Sequence, residues 1–269
     1  MTEGTKARID RVLSRLPLPE PPPIEVAGSE RRSLEELQAF YRVPGVSIAV
    51  VNQGEIEWAR GVGVLDAATR TPVSSESIFQ ACSISKHVAA CGALRLVEDG
   101  TLELDADISE YLTSWTLPAN NGWQPRVTVR QLLGHTAGLT YAWFRGFIRG
   151  EPTPTLAQVL KGESPANTPP VRSVFPPGAH FRYSGSHYVV LQQIMQDVTG
   201  EAFPGLMHEL IFGPLGMTNS SFAQDYPETR PDTTASNHYI DGQPVKYATG
   251  VDIRIRADEL VTATVTLVA

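Results

Sequence analysis

A serine and a lysine three positions apart have the residue types and the spacing needed for nucleophilic catalysis. The segment FQACSISK, residues 79–86, places Ser83 three positions before Lys86. On a helix, side chains at this spacing share a face, with their Cβ atoms about 5–6 Å apart. A serine hydroxyl is a weak nucleophile until a neighbouring base takes its proton, and a neutral amine can act as that base. The pair therefore predicts a nucleophile and its partner.

The start of such a helix would add a second element of the same chemistry. N–H groups and partial positive charge at a helix N-terminus stabilise a developing oxyanion. Taken alone, however, a Ser-x-x-Lys spacing has a simpler interpretation, in which the serine caps the helix and the lysine is solvated. The spacing leaves both interpretations open, so the surrounding sequence has to decide between them.

Further motifs follow this pair in one order along the chain. They are LRLVEDG at 94–100, VTVRQLLGHTAGL at 127–139, PGAHFRYS at 177–184 and PLGM at 214–217. Together with the Ser-x-x-Lys segment they resemble the β-lactamase-related serine hydrolases, which include class C β-lactamases, D-alanyl-D-alanine peptidases and many carboxylesterases. The resemblance covers about residues 43–222. Several independent motifs at compatible separations are more specific than any one of them.

The resemblance implies a role for Tyr183. In this family a Tyr-x-Asn element faces the Ser-x-x-Lys helix, and its tyrosine, directly or through the lysine, handles the proton of the nucleophile. Without the upstream pair, a tyrosine packed against the helix with its hydroxyl hydrogen-bonded would be the simpler interpretation. With that pair present, we predict Ser83, Lys86 and Tyr183 as the catalytic residues and the N–H of Ser83 as an oxyanion donor.

Position 185 departs from the family's pattern. Gly185 stands where the family has an asparagine that helps to hold the amide of a β-lactam or peptide substrate. Glycine offers no such group, so discrimination in favour of amide substrates should fall. We therefore predict ester hydrolysis, with Gly185 and His187 as substrate-binding residues. For His187 the alternative is a partly buried histidine held by a hydrogen bond.

The family's third motif, Lys/His-x-Gly on a strand that lines the site, is not recognisable in this sequence. The nearest candidate, Ala248–Gly250, has alanine in place of the cation and comes early, so we regard it as a coincidence. In the family this strand supplies the second oxyanion N–H, and losing one such donor costs about a hundred- to a thousand-fold in turnover. We therefore expect an incomplete sheet and keep a catalytically impaired binding module as an alternative.

Six histidines and two cysteines show no metal-binding spacing, so neither a metal nor another cofactor is predicted. Cys82 and Cys91 lie nine positions apart, and if they share a helix they point to different faces, which makes a disulfide between them implausible. We interpret both as small buried hydrophobes. His135 belongs to a motif that the resemblance identifies as structural, shaping the loop after a short helix.

Charge and hydropathy exclude several partner classes. The net charge of −7 argues against nucleic acid, which requires a basic face. No apolar run approaches the length of a membrane span, and the N-terminus lacks the apolar stretch of a secretory signal. We predict a cytoplasmic protein with no membrane partner, the alternative being a chain from which a signal has been removed.

Hydrophobic periodicity predicts the elements that carry these residues. Alternating β-branched residues around a turn at Asn52–Gly54 predict a β-hairpin over 45–60. Helical spacing predicts seven helices, over 7–16, 35–41, 83–98, 129–133, 156–161, 188–198 and 203–212. The predicted domains are an N-terminal helix with a Pro-rich linker over 1–24, a truncated hydrolase domain over 25–246 and a divergent tail over 247–269.

These observations predict an α+β fold of the β-lactamase/transpeptidase type, with a helical lobe packed on an antiparallel sheet that begins with the hairpin. The predicted function is a carboxylesterase-type serine hydrolase that forms an acyl-enzyme on Ser83 with a small-molecule ester. A β-lactamase or D-alanyl-D-alanine peptidase is the alternative enzyme. An open sheet edge and a strand-like tail at 261–268 further predict a homo-oligomer.

Overall fold

The computed structural model describes residues 3–14, 16–17, 31–142, 147–148, 152–223, 237–239, 244–245, 247–248 and 260–261. These residues belong to two compact units. The first holds the described residues up to Ser77 together with short strands after residue 235. The second begins at Ile78 and contains every residue predicted above to take part in catalysis.

Among the described residues, seven α-helices confirm the helices predicted from the sequence. They are α1 Glu3–Leu13, α2 Leu34–Tyr41, α3 Ile84–Glu98, α4 Val129–Leu133, α5 Leu156–Lys161, α6 Gly185–Thr199 and α7 Phe203–Met207. Three predictions need adjustment. The helix predicted over 7–16 begins at Glu3 and ends at Leu13, and Leu16 belongs to a short strand. The helix predicted from Tyr188 begins three residues earlier, and the one predicted over 203–212 changes after α7 into a π-helical turn, His208–Phe212.

The described strands are short except in one hairpin. They are β1 Leu16–Pro17, β2 Arg31–Arg32, β3 Gly45–Asn52, β4 Glu55–Gly63, β5 Phe147–Ile148, β6 Asn237–Tyr239, β7 Pro244–Val245, β8 Tyr247–Ala248 and β9 Leu260–Val261. All pairings are antiparallel: β1 with β2, β3 with β4, β5 with β8, and β6 with both β7 and β9. Most of the Pro-rich linker and of the tail at 261–268 lies outside the described residues.

The hairpin of the first unit is confirmed, and its turn explains its register. Asn52 pairs with Glu55, which leaves a two-residue loop of Gln53 and Gly54 with φ angles of 54° and 82°. Two positive φ angles are typical of the type I′ turn, whose twist matches that of the flanking strands. A bulge between Val50 and Val51 then shifts the pairing by one residue.

The second unit is organised around α6, which contacts α3, α4 and α5. Its buried side chains include Leu191 and Ile194, which pack in one core with Leu132 of α4 and Leu160 of α5, all of them 0% exposed. Burying one such side chain stabilises the fold by about 1.5–3 kcal/mol. The N-terminal end of α6, which begins two residues after Tyr183, is therefore held by the core of the unit.

Candidate active site

The start of α3 presents Ser83 without using its side chain as a helix cap. Ser83 occupies the N-cap position, yet its hydroxyl makes no capping hydrogen bond. Tight backbone bonds from Ile84 N to Ala81 O and from Ser85 N to Cys82 O fold the chain at this point. The simpler interpretation of the Ser-x-x-Lys spacing, a capping serine, therefore does not describe this site.

Ser83 Oγ is in direct hydrogen-bond contact with two groups that can carry a proton. Lys86 Nζ donates to it at 3.2 Å, and Tyr183 OH donates to it at 2.8 Å. Lys86 is only 9% exposed, and its Nζ lies 5.4 Å from the centroid of the Tyr183 ring. The structure thus brings together the three residues predicted as catalytic, two of them from one helix turn and the third from 100 residues further along.

Ser184 fixes the backbone next to Tyr183. Its side chain is fully buried, and its Oγ donates to Thr140 O at 3.0 Å. The same oxygen accepts from Ala142 N and from Ser186 N, both at 3.2 Å. The bond from Ser186 caps α6, so one hydroxyl joins the start of α6 to the loop at 140–142. This arrangement limits the freedom of the tyrosine that precedes it.

The ring of His135 packs against the ring of Tyr183. His135 follows α4 in a left-handed conformation, with φ 56°, and its carbonyl accepts from Arg182 N at 2.8 Å. Its ring centroid lies 4.5 Å from that of Tyr183. Its Nδ1 lies 2.9 Å from Nδ1 of His187 and accepts from Ser184 N at 3.4 Å. The predicted structural role of His135 did not include these side-chain contacts.

Both histidines are held in the neutral form. Burial, and then the positive charge of Lys86, lowers the pKa of His135 to about 4. Burial, and then the neighbouring His135, lowers the pKa of His187 to about 3. A histidine ordinarily titrates near pH 6.5, so at neutral pH each ring has one N–H donor and one lone pair.

The two residues predicted to bind substrate are both buried. Gly185 is the first residue of α6 and donates its N–H to Ala142 O at 3.4 Å. His187 is 0% exposed and faces His135. Substrate binding by these residues stays a prediction, and the full burial of His187 favours an indirect role. Of the candidate third motif, Ala248 pairs with Phe147, and its two other residues lie outside the described part.

Within the described ranges, no group of three His, Cys, Asp or Glu side chains is placed to hold a metal ion. No described helix combines the length and the hydropathy needed to cross a membrane. Neither Cys82 nor Cys91 forms a disulfide, and both are of intermediate burial, so the interpretation of the two as buried hydrophobes is wrong in its degree of burial. Cys82 adopts φ 45°, a conformation that costs a non-glycine residue of order 1–3 kcal/mol, immediately before Ser83.

A protein-family model described as Beta-lactamase matches residues 31–265, most of the chain. The chain belongs to the beta-lactamase family. This is a family of serine hydrolases, and the resemblance found in the sequence is thereby confirmed. The predicted β-lactamase/transpeptidase-like fold is confirmed by the same match and by the solved structures that resemble it.

Relatives of this beta-lactamase-family chain include both peptidases and esterases. The D-aminopeptidase of Cereibacter sphaeroides (strain KD131 / KCTC 12085) is 31% identical over 204 residues, which are 72% of this chain and 36% of that protein. Esterase EstB of Burkholderia gladioli is 29% identical over 222 residues, 79% of this chain and 55% of the relative.

Among solved structures, the octameric penicillin-binding protein homologue from Pyrococcus abyssi resembles this chain with a TM-score of 0.66 at 28% sequence identity. The likeness covers 81% of this chain and 50% of that one. The beta-lactamase-family chain thus spans between 36% and 55% of the length of these three relatives.

Proposed function

We propose that this chain hydrolyses carboxylic esters through an acyl-enzyme on Ser83. The observation that carries the proposal is the pair of hydrogen bonds that Ser83 Oγ makes with Lys86 and Tyr183, at 3.2 Å and 2.8 Å. A hydroxyl in contact with two proton-carrying groups meets the geometric requirement for an activated nucleophile. Esterase EstB, at 29% identity, supports an ester substrate.

The proposed reaction has two displacement steps. The proton transfer requires one of the two partners in its deprotonated form. Ser83 Oγ attacks the ester carbonyl while its proton passes to a Tyr183 phenolate or to a neutral Lys86 amine, and the tetrahedral oxyanion forms beside the N-terminal end of α3. The intermediate collapses, the C–O bond to the alcohol breaks, and the alcohol leaves with that proton. Water then attacks the acyl-enzyme, gives up a proton to the same pair of residues, and releases the acid and the free Ser83 hydroxyl.

A second candidate function is cleavage of an amide bond next to a D-amino acid. The observation that favours it is the D-aminopeptidase relative at 31% identity. Ester cleavage is preferred because Gly185 lacks the side-chain amide that the family places at this position. The ratio of the specificity constants for a p-nitrophenyl ester and a D-alanine p-nitroanilide separates the two functions.

The test is covalent labelling with a fluorophosphonate probe, followed by mass spectrometry of the modified peptide. We expect the label on Ser83, and we expect Ser83→Ala to lose both labelling and hydrolysis of p-nitrophenyl butyrate. Ser85→Ala is the matched control, since Ser85 lies in the same helix turn but about 200° around the axis from Ser83. Labelling that persists in Ser83→Ala would refute the assignment.

Turnover of the parent chain is measured in the same experiment. A parent chain that neither binds the probe nor cleaves any of these substrates would favour the catalytically impaired binding module. A Ser85→Ala variant that loses activity as fully as Ser83→Ala would show that the test reports on the fold of α3 rather than on the nucleophile.

A further inference from the structure

We propose that His187, acting through His135, is a positioning residue that holds Tyr183 against Ser83. The proposal rests on the proposed function, since it concerns how Tyr183 exchanges a proton with Ser83. His187 does not touch Ser83 or Tyr183 in any contact described above. Its partner is His135, and the His135 ring is what lies against the tyrosine.

The hydrogen bonds determine which histidine donates. The backbone N–H of Ser184 donates to His135 Nδ1 at 3.4 Å, so that nitrogen carries a lone pair. The contact of 2.9 Å between the two Nδ1 atoms needs one proton, which we assign to His187, so the single lone pair of His135 Nδ1 is shared between a short bond from His187 and a long one from Ser184. His187 is the Nδ1–H tautomer, and His135 carries its single proton on Nε2. These tautomers follow from the network of donors and acceptors.

The donated bond fixes the plane of the His135 ring. That ring lies 4.5 Å from the Tyr183 ring at an angle of 46°, and 5.3 Å from the Tyr188 ring. Ser184 and His187 hold its Nδ1 on one side while Tyr183 lies against its face. If the donor were lost, His135 could rotate, and the surface that supports Tyr183 would move with it. The distance from Tyr183 OH to Ser83 Oγ, 2.8 Å, depends on that surface.

Packing alone does not account for an imidazole at this position. His187 Nε2 is fully buried and has no hydrogen-bond partner among the described residues. An unsatisfied buried polar atom costs about 1–3 kcal/mol, and an apolar ring of similar size would avoid that cost. What a phenylalanine cannot supply is the Nδ1–H bond to His135. The hydrogen bond from His187 Nδ1, rather than the volume of the ring, therefore explains why position 187 is a histidine.

Two substitutions of His187 separate the effect of its hydrogen-bond donor from the effect of its side-chain volume. His187→Phe keeps the bulk and removes the donor, whereas His187→Asn keeps an N–H near the position of Nδ1. We expect His187→Phe to lower kcat for p-nitrophenyl butyrate by about 10- to 100-fold, because a small displacement of a catalytic group is enough for such a loss. KM should change by less than about threefold, since the substrate contacts remain. His187→Asn should restore most of kcat.

Ile194→Val on the same helix is the control for stability. It removes one buried methyl group from α6, costs about 0.5–1.5 kcal/mol, and leaves the histidine pair untouched. Its kcat at 25 °C should equal that of the parent. If His187→Phe and Ile194→Val reduced kcat in proportion to their loss of thermal stability, a merely structural role would be established and the proposal overturned.

A readout without substrate keeps this inference distinct from the proposed function. The ¹³Cζ resonance of Tyr183, assigned with Tyr183→Phe, should shift or broaden in His187→Phe and return in His187→Asn. An unmoved resonance in His187→Phe overturns the proposal, even if the parent chain proves to have no ester turnover. Histidine ¹⁵N spectra of the parent chain give a further test that needs no variant, because an Nε2–H tautomer of His187 is incompatible with the donor role.

Discussion

Ser83 lies at the point where a strained backbone meets the positive end of a helix. Cys82 adopts φ 45°, and Ser83 follows it at the N-cap of α3. Because its hydroxyl makes no capping bond, its lone pairs are available to Lys86 and Tyr183. The chemistry of the site thus depends on the hydroxyl of Ser83, which binds the side chains of Lys86 and Tyr183 instead of capping the helix.

Position 185 offers a test of substrate class at the scale of one residue. Because Gly185 has no amide, the parent chain should cleave p-nitrophenyl butyrate with a higher kcat/KM than nitrocefin. Gly185→Asn should raise kcat/KM for nitrocefin about tenfold, since an added hydrogen bond to the substrate amide improves discrimination. Steady-state kinetics with both substrates measure the ratio.

A control for this substitution is available in a neighbouring helix. Gly205 of α7 has open space where a Cβ would lie, so Gly205→Asn introduces the same residue away from the site. A nitrocefin rate that rises equally in both variants, or a parent chain that already prefers nitrocefin, would contradict the ester assignment and favour a β-lactamase.

The three predicted catalytic residues differ in how far the sequence alone could lead to them. Ser83 and Lys86 follow from local helical spacing, which the physics of a helix turns into proximity. Tyr183 is 100 residues away and could be predicted only through the resemblance. His135 belongs to a recognised motif, but no motif relates it to His187, 52 residues further along, so only the fold reveals their contact.

At the scale of elements, the loop after α4 holds His135 through a close backbone approach at Gly138. This residue has φ 70°, and a Cβ there would lie 2.3 Å from Phe175 O. The carbonyl of Gly138 accepts a hydrogen bond from Val174 N at 2.8 Å. A side chain at this position would therefore separate two segments that the loop needs in contact.

We expect Gly138→Ala to destabilise the chain by clearly more than the cost of its backbone angle. Gly100→Ala is the matched control, since Gly100 has φ 81° and nothing within 4 Å of the added Cβ. An alanine in the left-handed region costs about 1–2 kcal/mol, and Gly138→Ala should exceed this because backbone must also move. Urea unfolding of both variants measures the difference, and equal losses would contradict the role of close packing here.

The elements were predictable where local signals dominate. The hairpin follows from alternation and a Gly-containing turn, and α4 follows from helical spacing; the structure adds that Thr128 and Gln131 cap the start of α4. Hydrophobic periodicity predicts the start of α6 three residues too late, because the first residues of the helix, Gly185 to His187, are not apolar and so do not show the helical period. Ser184 caps this turn, and its role depends on tertiary partners at 140 and 142.

At the scale of the whole molecule, the buried histidine pair makes the free energy of unfolding depend on pH. In the unfolded chain a histidine titrates near pH 6.5, whereas the pKa of His135 is about 4 and that of His187 about 3 in the fold. At pH values below about 6.5 and above the pKa values in the fold, the unfolded chain binds more protons than the folded chain. The two histidines therefore do not reduce the free energy of unfolding above about pH 6.5, and they reduce it progressively as the pH is lowered. Each group contributes at most about 1.4 kcal/mol per pH unit.

His187→Asn tests this dependence, because it keeps a donor and removes one titrating group. The free energy of unfolding should fall less steeply between pH 6.5 and pH 4 than in the parent chain, by up to about 1.4 kcal/mol per pH unit. Urea titrations at several pH values measure the slope. His208→Asn, at an exposed position, is the control and should follow the parent. Parallel curves for all three proteins would contradict the neutral assignment of His187.

The end of the hairpin leads to a prediction about assembly. β3 and β4 form a two-stranded sheet in the described part of the chain, so each has an outer edge that no described strand pairs with. At its tip, Val51 and Ile56 are register partners with exposures of 64% and 44%. An exposed apolar strand edge favours pairing with another chain. We therefore expect the protein to self-associate through this hairpin.

A charged cross-strand pair tests that contact while preserving the hairpin. Val51→Lys combined with Ile56→Glu keeps a favourable pair across the strands and removes the apolar surface. Light scattering at low and high concentration should show association in the parent and a monomer in the double variant. Leu94→Lys, which removes an apolar side chain that is 46% exposed on α3, is the control and should associate like the parent. If the parent is monomeric at every concentration, the edges of the hairpin are not an interface, because an edge free to pair would add a second chain as concentration rises.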